Sequence, residues 1–103
     1  MAFSFIETDA LKIVIPSVPE FKGTKVCKVF VTAVIGGQKN ENASVWIEKN
    51  GFQLKESLHQ IVCSYDEHFV SFPMFVDAKE NDVFELKFKG RLERSKFRLV
   101  IAN

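Results

Sequence analysis

The chain has 103 residues, 47% of them hydrophobic, and a net charge of +1 from 14 basic and 13 acidic side chains. That describes one compact domain spanning 1–103, without the basic surplus that draws a protein onto nucleic acid or an anionic membrane. No apolar run approaches the roughly 18 residues of a membrane-spanning helix, and in "MAFSFIETDALKIVI" Glu7 and Asp9 interrupt the apolar stretch that a secretory signal requires.

Alternation with period two recurs along the chain, the mark of strands with one face turned inward. Phe3 and Phe5 flank Ser4 in a short first strand. Leu11, Ile13 and Ile15 form a second, stopped by Pro16 and Pro19. A long strand runs from Thr24 to Ile35, with Cys27, Val29, Val31, Ala33 and Ile35 on one face. Its other face carries Val26, Phe30 and Val34, so it is apolar on both sides.

After the polar loop "GGQKNEN" (36–42), Val45 and Ile47 point one way and Trp46 and Glu48 the other. Asn50-Gly51 then predicts a two-residue hairpin turn, because both residues tolerate the positive φ that such a turn needs. That register sets Lys49 opposite Phe52 and Ile47 opposite Leu54 on a return strand. Leu58 to Tyr65 is another strand with Ile61 and Cys63 inward, and "DEH" (66–68) reads as a turn.

Phe69 to Val76 follows, with Phe72, Met74 and Val76 on one face and Phe69, Ser71 and Phe75 on the other. Pro73 lacks an N–H for the ladder and marks an edge or a bulge. "AKEND" (78–82) turns the chain into the row Phe84, Leu86 and Phe88. "GRLERS" (90–95) reads as a further turn before the last inward row, Phe97, Leu99 and Ile101. Eight to nine short antiparallel strands at this spacing predict an all-β sandwich, with the jelly roll as leading topology.

No catalytic, metal or cofactor motif stands out. His59 and His68 are the only histidines, and Ser57, His59 and Cys63 lie too far apart along a strand to act as a nucleophile set. Cys27 and Cys63 read as buried thiols, with one disulfide across the sandwich as the alternative.

Three segments, "ASVWIEKNG" (43–51), "FVSFPMFVDAKENDVFELKFKG" (69–90) and "SKFRLVIAN" (95–103), resemble strands and turns of the tumour necrosis factor/complement globular-head superfamily of jelly rolls. The likeness covers about residues 24–103. "PSVPEFKGTK" stands where that family carries a glycine- and aromatic-rich segment. The resemblance implies a homotrimer without enzymatic activity; viral and phage particle proteins use similar compact jelly rolls for fibre tips and capsid decorations.

Two candidate surfaces follow. Phe30, Val34, Phe69 and Phe75 are apolar residues on the second faces of their strands, the expected subunit interface. Trp46 and Tyr65, with the basic residues Lys87, Lys89, Arg91 and Arg94, are the expected contacts for an acidic partner or a glycan. The expected protein is a non-enzymatic, trimeric decoration or spike component of a virus or phage particle, made in the host cytoplasm and binding other particle proteins or a surface glycan. The alternative is a carbohydrate-binding module of an extracellular protein. Neither a cofactor nor nucleic acid is expected.

Overall fold

The computed structural model describes residues 5–64 and 67–101. Nine strands form in chain order: β1 (Phe5–Thr8), β2 (Lys12–Val14), β3 (Lys25–Gly36), β4 (Asn42–Lys49), β5 (Phe52–Gln53), β6 (His59–Val62), β7 (His68–Ala78), β8 (Val83–Lys89) and β9 (Arg91–Ile101). They make two antiparallel sheets. The first has the order β1-β9-β3-β7; the second runs β2-β8-β4, with β5 and β6 both pairing with β4.

With the two-residue β5 set aside, β1 pairs with β9, β2 with β8, β3 with β7, and β4 with β6. First meets last and each next strand meets the next from the end. That nested winding is a jelly roll.

Inward rows from both sheets fill one core. Cys27, Val29, Val31, Ala33 and Ile35 of β3 are all buried, as are Val45 and Ile47, Phe84 and Leu86, and Phe97 and Leu99. Twenty or more such side chains at about 25 cal/mol per Å² supply most of the folding drive. Phe88 shares the parity of Phe84 and Leu86 but is 40% exposed: β2 pairs only with residues 83–85, so this end of β8 has no strand on that side.

The Asn50-Gly51 turn forms as expected, with φ of 51° and 87°. Lys49 faces Phe52, and Leu54 N–H donates to the Ile47 carbonyl at 2.9 Å. The return strand nevertheless stops at Gln53 and gives way to a 3-10 turn, Lys55–Ser57. Ser57 explains the stop. Its buried hydroxyl accepts the Ile47 N–H at 2.8 Å and donates to the Leu54 carbonyl at 2.5 Å, so one side chain takes over the ladder.

The same turn is docked onto the 79–82 turn. The Asn50 amide donates to Asp82 Oδ1 at 3.1 Å and its oxygen accepts the Val83 N–H at 2.9 Å. Asp82 Oδ2 accepts the Lys79 N–H at 3.0 Å and lies 3.7 Å from Lys49 Nζ. Burial pushes the Asp82 carboxyl up, but these hydrogen bonds and the Lys49 and Lys79 charges outweigh it and hold the group below its ordinary range.

Two expected turns are shorter than expected or lie partly outside the described residues, as Asp66 of "DEH" does. His68 opens β7, and "GRLERS" shrinks to Gly90 alone, since β9 begins at Arg91. Arg91 to Lys96 pair with Gly36 to Thr32 of β3, across a bulge in which Glu93 is the extra residue. Gly90 has φ of 101°, and a Cβ there would sit 2.9 Å from Ala43 Cβ and from the Gly36 carbonyl. Only glycine lets the chain cross so tightly from one sheet to the other.

Candidate functional site

On the outer face of the first sheet, β3 and β7 pair without interruption from Lys25↔Ala78 to Ile35↔His68. Their outward residues meet as cross-strand pairs: Val34 with Phe69, Thr32 with Ser71, Phe30 with Pro73, Lys28 with Phe75, and Val26 with Asp77. Phe69 is 70% exposed, Phe75 64% and Phe30 38%, and Val26 is half-exposed. At roughly 200 Å² per phenylalanine, these three rings alone leave on the order of 350 Å² of apolar surface in water. Phe30 and Phe75 gather around Lys28, while Phe69 lies beyond the polar Thr32–Ser71 pair; exposed rings collected on one sheet face are a candidate contact surface.

Lys28 sits within the patch. Its ammonium lies 5.0 Å from the Phe30 ring centre and 5.7 Å from that of Phe75, a cation held by two π faces. Towards β9 the face becomes charged with both signs: Arg94 lies opposite Val34, Lys96 lies opposite Thr32 and 3.8 Å from Glu7, and Asp9 and Glu93 border the same region. An open groove of about 660 Å³ lies there, lined by Thr32, Val34, Phe69, Arg94, Lys96 and Asp9 among others. Val34, expected at the interface, is only 8% exposed and contributes to the floor of this region rather than to a free surface.

β7 is an edge strand of its sheet, one of the two placements that Pro73 marked. The β3–β7 register passes through Pro73 unbroken, so its nitrogen belongs on the free-edge side, where no ladder bond is lost. A proline midway along a free edge blunts strand-to-strand addition.

The basic and aromatic residues expected to act together are divided between the sheets. Trp46 lies directly opposite Lys87, and Lys89 opposite Ser44, on the outer face of the second sheet. The Trp46 indole N–H donates to Glu48 Oε2 at 3.0 Å, and Lys87 pairs with Glu85 at 3.3 Å. Arg94 is on the first sheet, and Arg91, at the corner after Gly90, is ion-paired with Glu93. Tyr65 lies outside the described residues, as does Phe3 of the expected first strand.

Sequence reasoning missed a second apolar row. β6 pairs Asn42↔Val62 and Ser44↔Gln60, which turns Leu58, Gln60 and Val62 outward at the edge of the second sheet. Leu58 is 47% exposed and Val62 63%. The signal was the period-two spacing of 58 and 62, masked by the inward pair Ile61 and Cys63.

The two histidines do not converge on a common site. The His59 ring stacks on Phe72 at 3.9 Å between centroids, and its Nδ1 is 2.9 Å from the Ser57 carbonyl. His68 contacts Ser64 instead. Among the described residues, no three or more His, Cys, Asp or Glu side chains are grouped to hold a metal ion, and no helix is long and apolar enough to cross a membrane.

Cys27 and Cys63 are both free and buried. Cys63 Sγ lies against Gly37, just past the far end of β3 from Cys27. That separates the two thiols by roughly 30 Å of extended chain, far beyond disulfide reach. Burial raises the Cys27 thiol above its ordinary value, and the Asp77 charge adds to the shift against a smaller opposing effect of Lys49.

No family model matches the chain, and no curated protein matches it.

Proposed function

We propose that this chain is a non-enzymatic structural or attachment protein that works by self-assembly, as a trimeric decoration or spike component of a virus or phage particle. The carrying observation is the exposed row Phe69, Phe75 and Phe30 on one sheet face. Leaving that much apolar area in water serves no purpose in a monomer whose core is already filled by the inner rows. The jelly-roll winding and the likeness to trimeric globular heads support the particle role.

The groups that an enzyme would need are occupied structurally: the Ser57 hydroxyl is bound to backbone, and His59 is packed on Phe72. The alternative, a carbohydrate-binding module whose exposed aromatics Trp46 and Tyr65 stack on sugar rings, has less support, because Trp46 is only partly exposed beside Lys87.

Sedimentation equilibrium tests the assembly. A mass of three chains is expected, and a strict monomer at every concentration contradicts it. Gene neighbourhood tests the setting: capsid or tail genes beside this one are expected, whereas secreted carbohydrate-active neighbours point to the glycan module.

A further inference from the structure

Asn50-Gly51 is the sole Asn-Gly pair in the chain. In such a pair the glycine nitrogen can attack the asparagine side-chain carbonyl, because no Cβ on the second residue blocks the approach. Asn40, Asn42 and Asn81 precede Glu41, Ala43 and Asp82, whose side chains hinder the same attack. Asn50 and Gly51 are both exposed, and a Cβ added at Gly51 would meet nothing within 4 Å, so water reaches the turn freely.

The Asn50 side chain is nevertheless held at both ends. Its Nδ2 donates to Asp82 Oδ1 at 3.1 Å, and its Oδ1 accepts the Val83 N–H at 2.9 Å. The Asn50 backbone N–H donates to the Val83 carbonyl at 2.8 Å. The partner carboxylate is itself fixed, since Asp82 is buried and its Oδ2 accepts the Lys79 N–H. Ring closure must swing the Asn50 Cγ away from Val83 and onto the Gly51 nitrogen, which breaks both side-chain bonds.

We infer that Asn50 is a deamidation site gated by its side-chain bonds to Asp82 and Val83, and that its product carboxylate releases the hairpin from the 79–82 turn. This is independent of the assembly reading.

The chemistry needs only water. The Gly51 nitrogen gives its proton to solvent and bonds to Asn50 Cγ. The Cγ–Nδ2 bond breaks, the amide nitrogen takes up a proton and leaves as ammonia, and a succinimide ring remains. Water then opens either ring carbonyl. One opening gives aspartate at position 50; the other gives isoaspartate, in which the chain runs through the side-chain carbon. Nothing is oxidised or reduced.

The aspartate product puts an oxygen where Nδ2 stood, 3.1 Å from Asp82 Oδ1. Two carboxylates that close do not both ionise without cost, so a hydrogen bond becomes a like-charge contact. Isoaspartate also carries a carboxylate, and it lengthens the turn by one backbone atom, which shifts Phe52 from its register with Lys49.

The gate is tested by incubating the full chain at mildly alkaline pH, folded, in urea, and as the folded Asp82→Ala variant. Peptide mapping follows isoaspartate at each asparagine, and Asn50 is expected to lead. The Asp82 bond is charge-assisted, of a strength that moves an opening equilibrium about tenfold or more. The folded wild type should therefore react about tenfold or more slowly than the chain in urea, and Asp82→Ala about tenfold faster than the folded wild type. Equal rates in the wild type and Asp82→Ala overturn the gate. Should circular dichroism show Asp82→Ala unfolded, Asp82→Asn, which keeps a neutral bond, reads the same gate through a smaller acceleration.

The release is tested with Asn50→Asp and with Asn50→Asp/Asp82→Asn, which restores the bond with donor and acceptor exchanged. Asn50→Asp should melt below the wild type, and the double variant should recover much of that loss. A double variant no more stable than Asn50→Asp overturns the release.

Discussion

The two sheets are built alike inside and differently outside. Both bury an alternating row of Val, Ile, Leu and Phe. Along its middle the second sheet offsets exposure locally: Lys87 pairs with Glu85, Trp46 gives its N–H to Glu48, and Lys12 lies opposite Glu85, while its exposed apolar residues Val14, Phe52, Leu58 and Val62 lie along its edges. The first sheet leaves Phe69 and Phe75 in water with a single cation, Lys28, over the rings. Inner rows carry the fold, and under the proposed assembly the strands with apolar residues on both faces mark the sheet that makes the contacts.

That division is broken most severely from the inside. Phe84→Ala removes a fully buried ring and should cost about 3–5 kcal/mol, read as a large fall in the urea midpoint. Gly90→Ala forces a Cβ into Ala43 and the Gly36 carbonyl at a φ that other residues avoid. It should cost roughly 2–3 kcal/mol and loosen the passage between sheets, seen as a lower melting temperature with early loss of amide protection in β9.

Ser57→Ala deprives the Ile47 N–H of its partner at a buried site, for about 1–3 kcal/mol. Denaturant titration would show it, and Ser57→Thr should recover part of the loss.

A smaller effect sharpens the comparison through pH. Asp82 binds its proton more weakly in the folded chain than in the unfolded one. Its contribution is therefore complete above the unfolded value of about 4 and is lost as pH falls through the lower folded value. The urea midpoint should decline below pH 4, and Asp82→Asn should flatten that part of the profile while lowering stability at neutral pH.

The smallest effect on folding belongs to the outer face. Phe75→Ser should change stability by no more than about 0.5 kcal/mol, in contrast to Phe84→Ala, because its ring is largely in water already.

The inner rows and the hairpin register were legible in the sequence because period-two alternation and Asn50-Gly51 are local signals. The edge position of β7 was one of the two placements that Pro73 marked, the other being a bulge. The winding order was not legible, since pairing β1 with β9 joins residues more than eighty positions apart and alternation carries no partner information.

The stretch 91–95 looked like a turn because its residues are polar. It is strand because the end of β3 offers a ladder, and charges are tolerated on its outer side. The early stop of β5 depended on where the Ser57 hydroxyl falls in space. The candidate surface was half legible: Phe30, Phe69 and Phe75 do share a face, but the basic residues grouped by sequence proximity separate once the chain changes sheets at Gly90.

The most direct measurement compares the two outer faces in one experiment. Sedimentation equilibrium would be run on the wild type, on Phe69→Ser/Phe75→Ser, and on Lys12→Ser/Glu85→Ser from the second sheet. The wild type and the second-sheet variant should sediment as assemblies, and the phenylalanine variant as a folded monomer. Equal masses for all three would contradict the assignment of assembly to the first-sheet face.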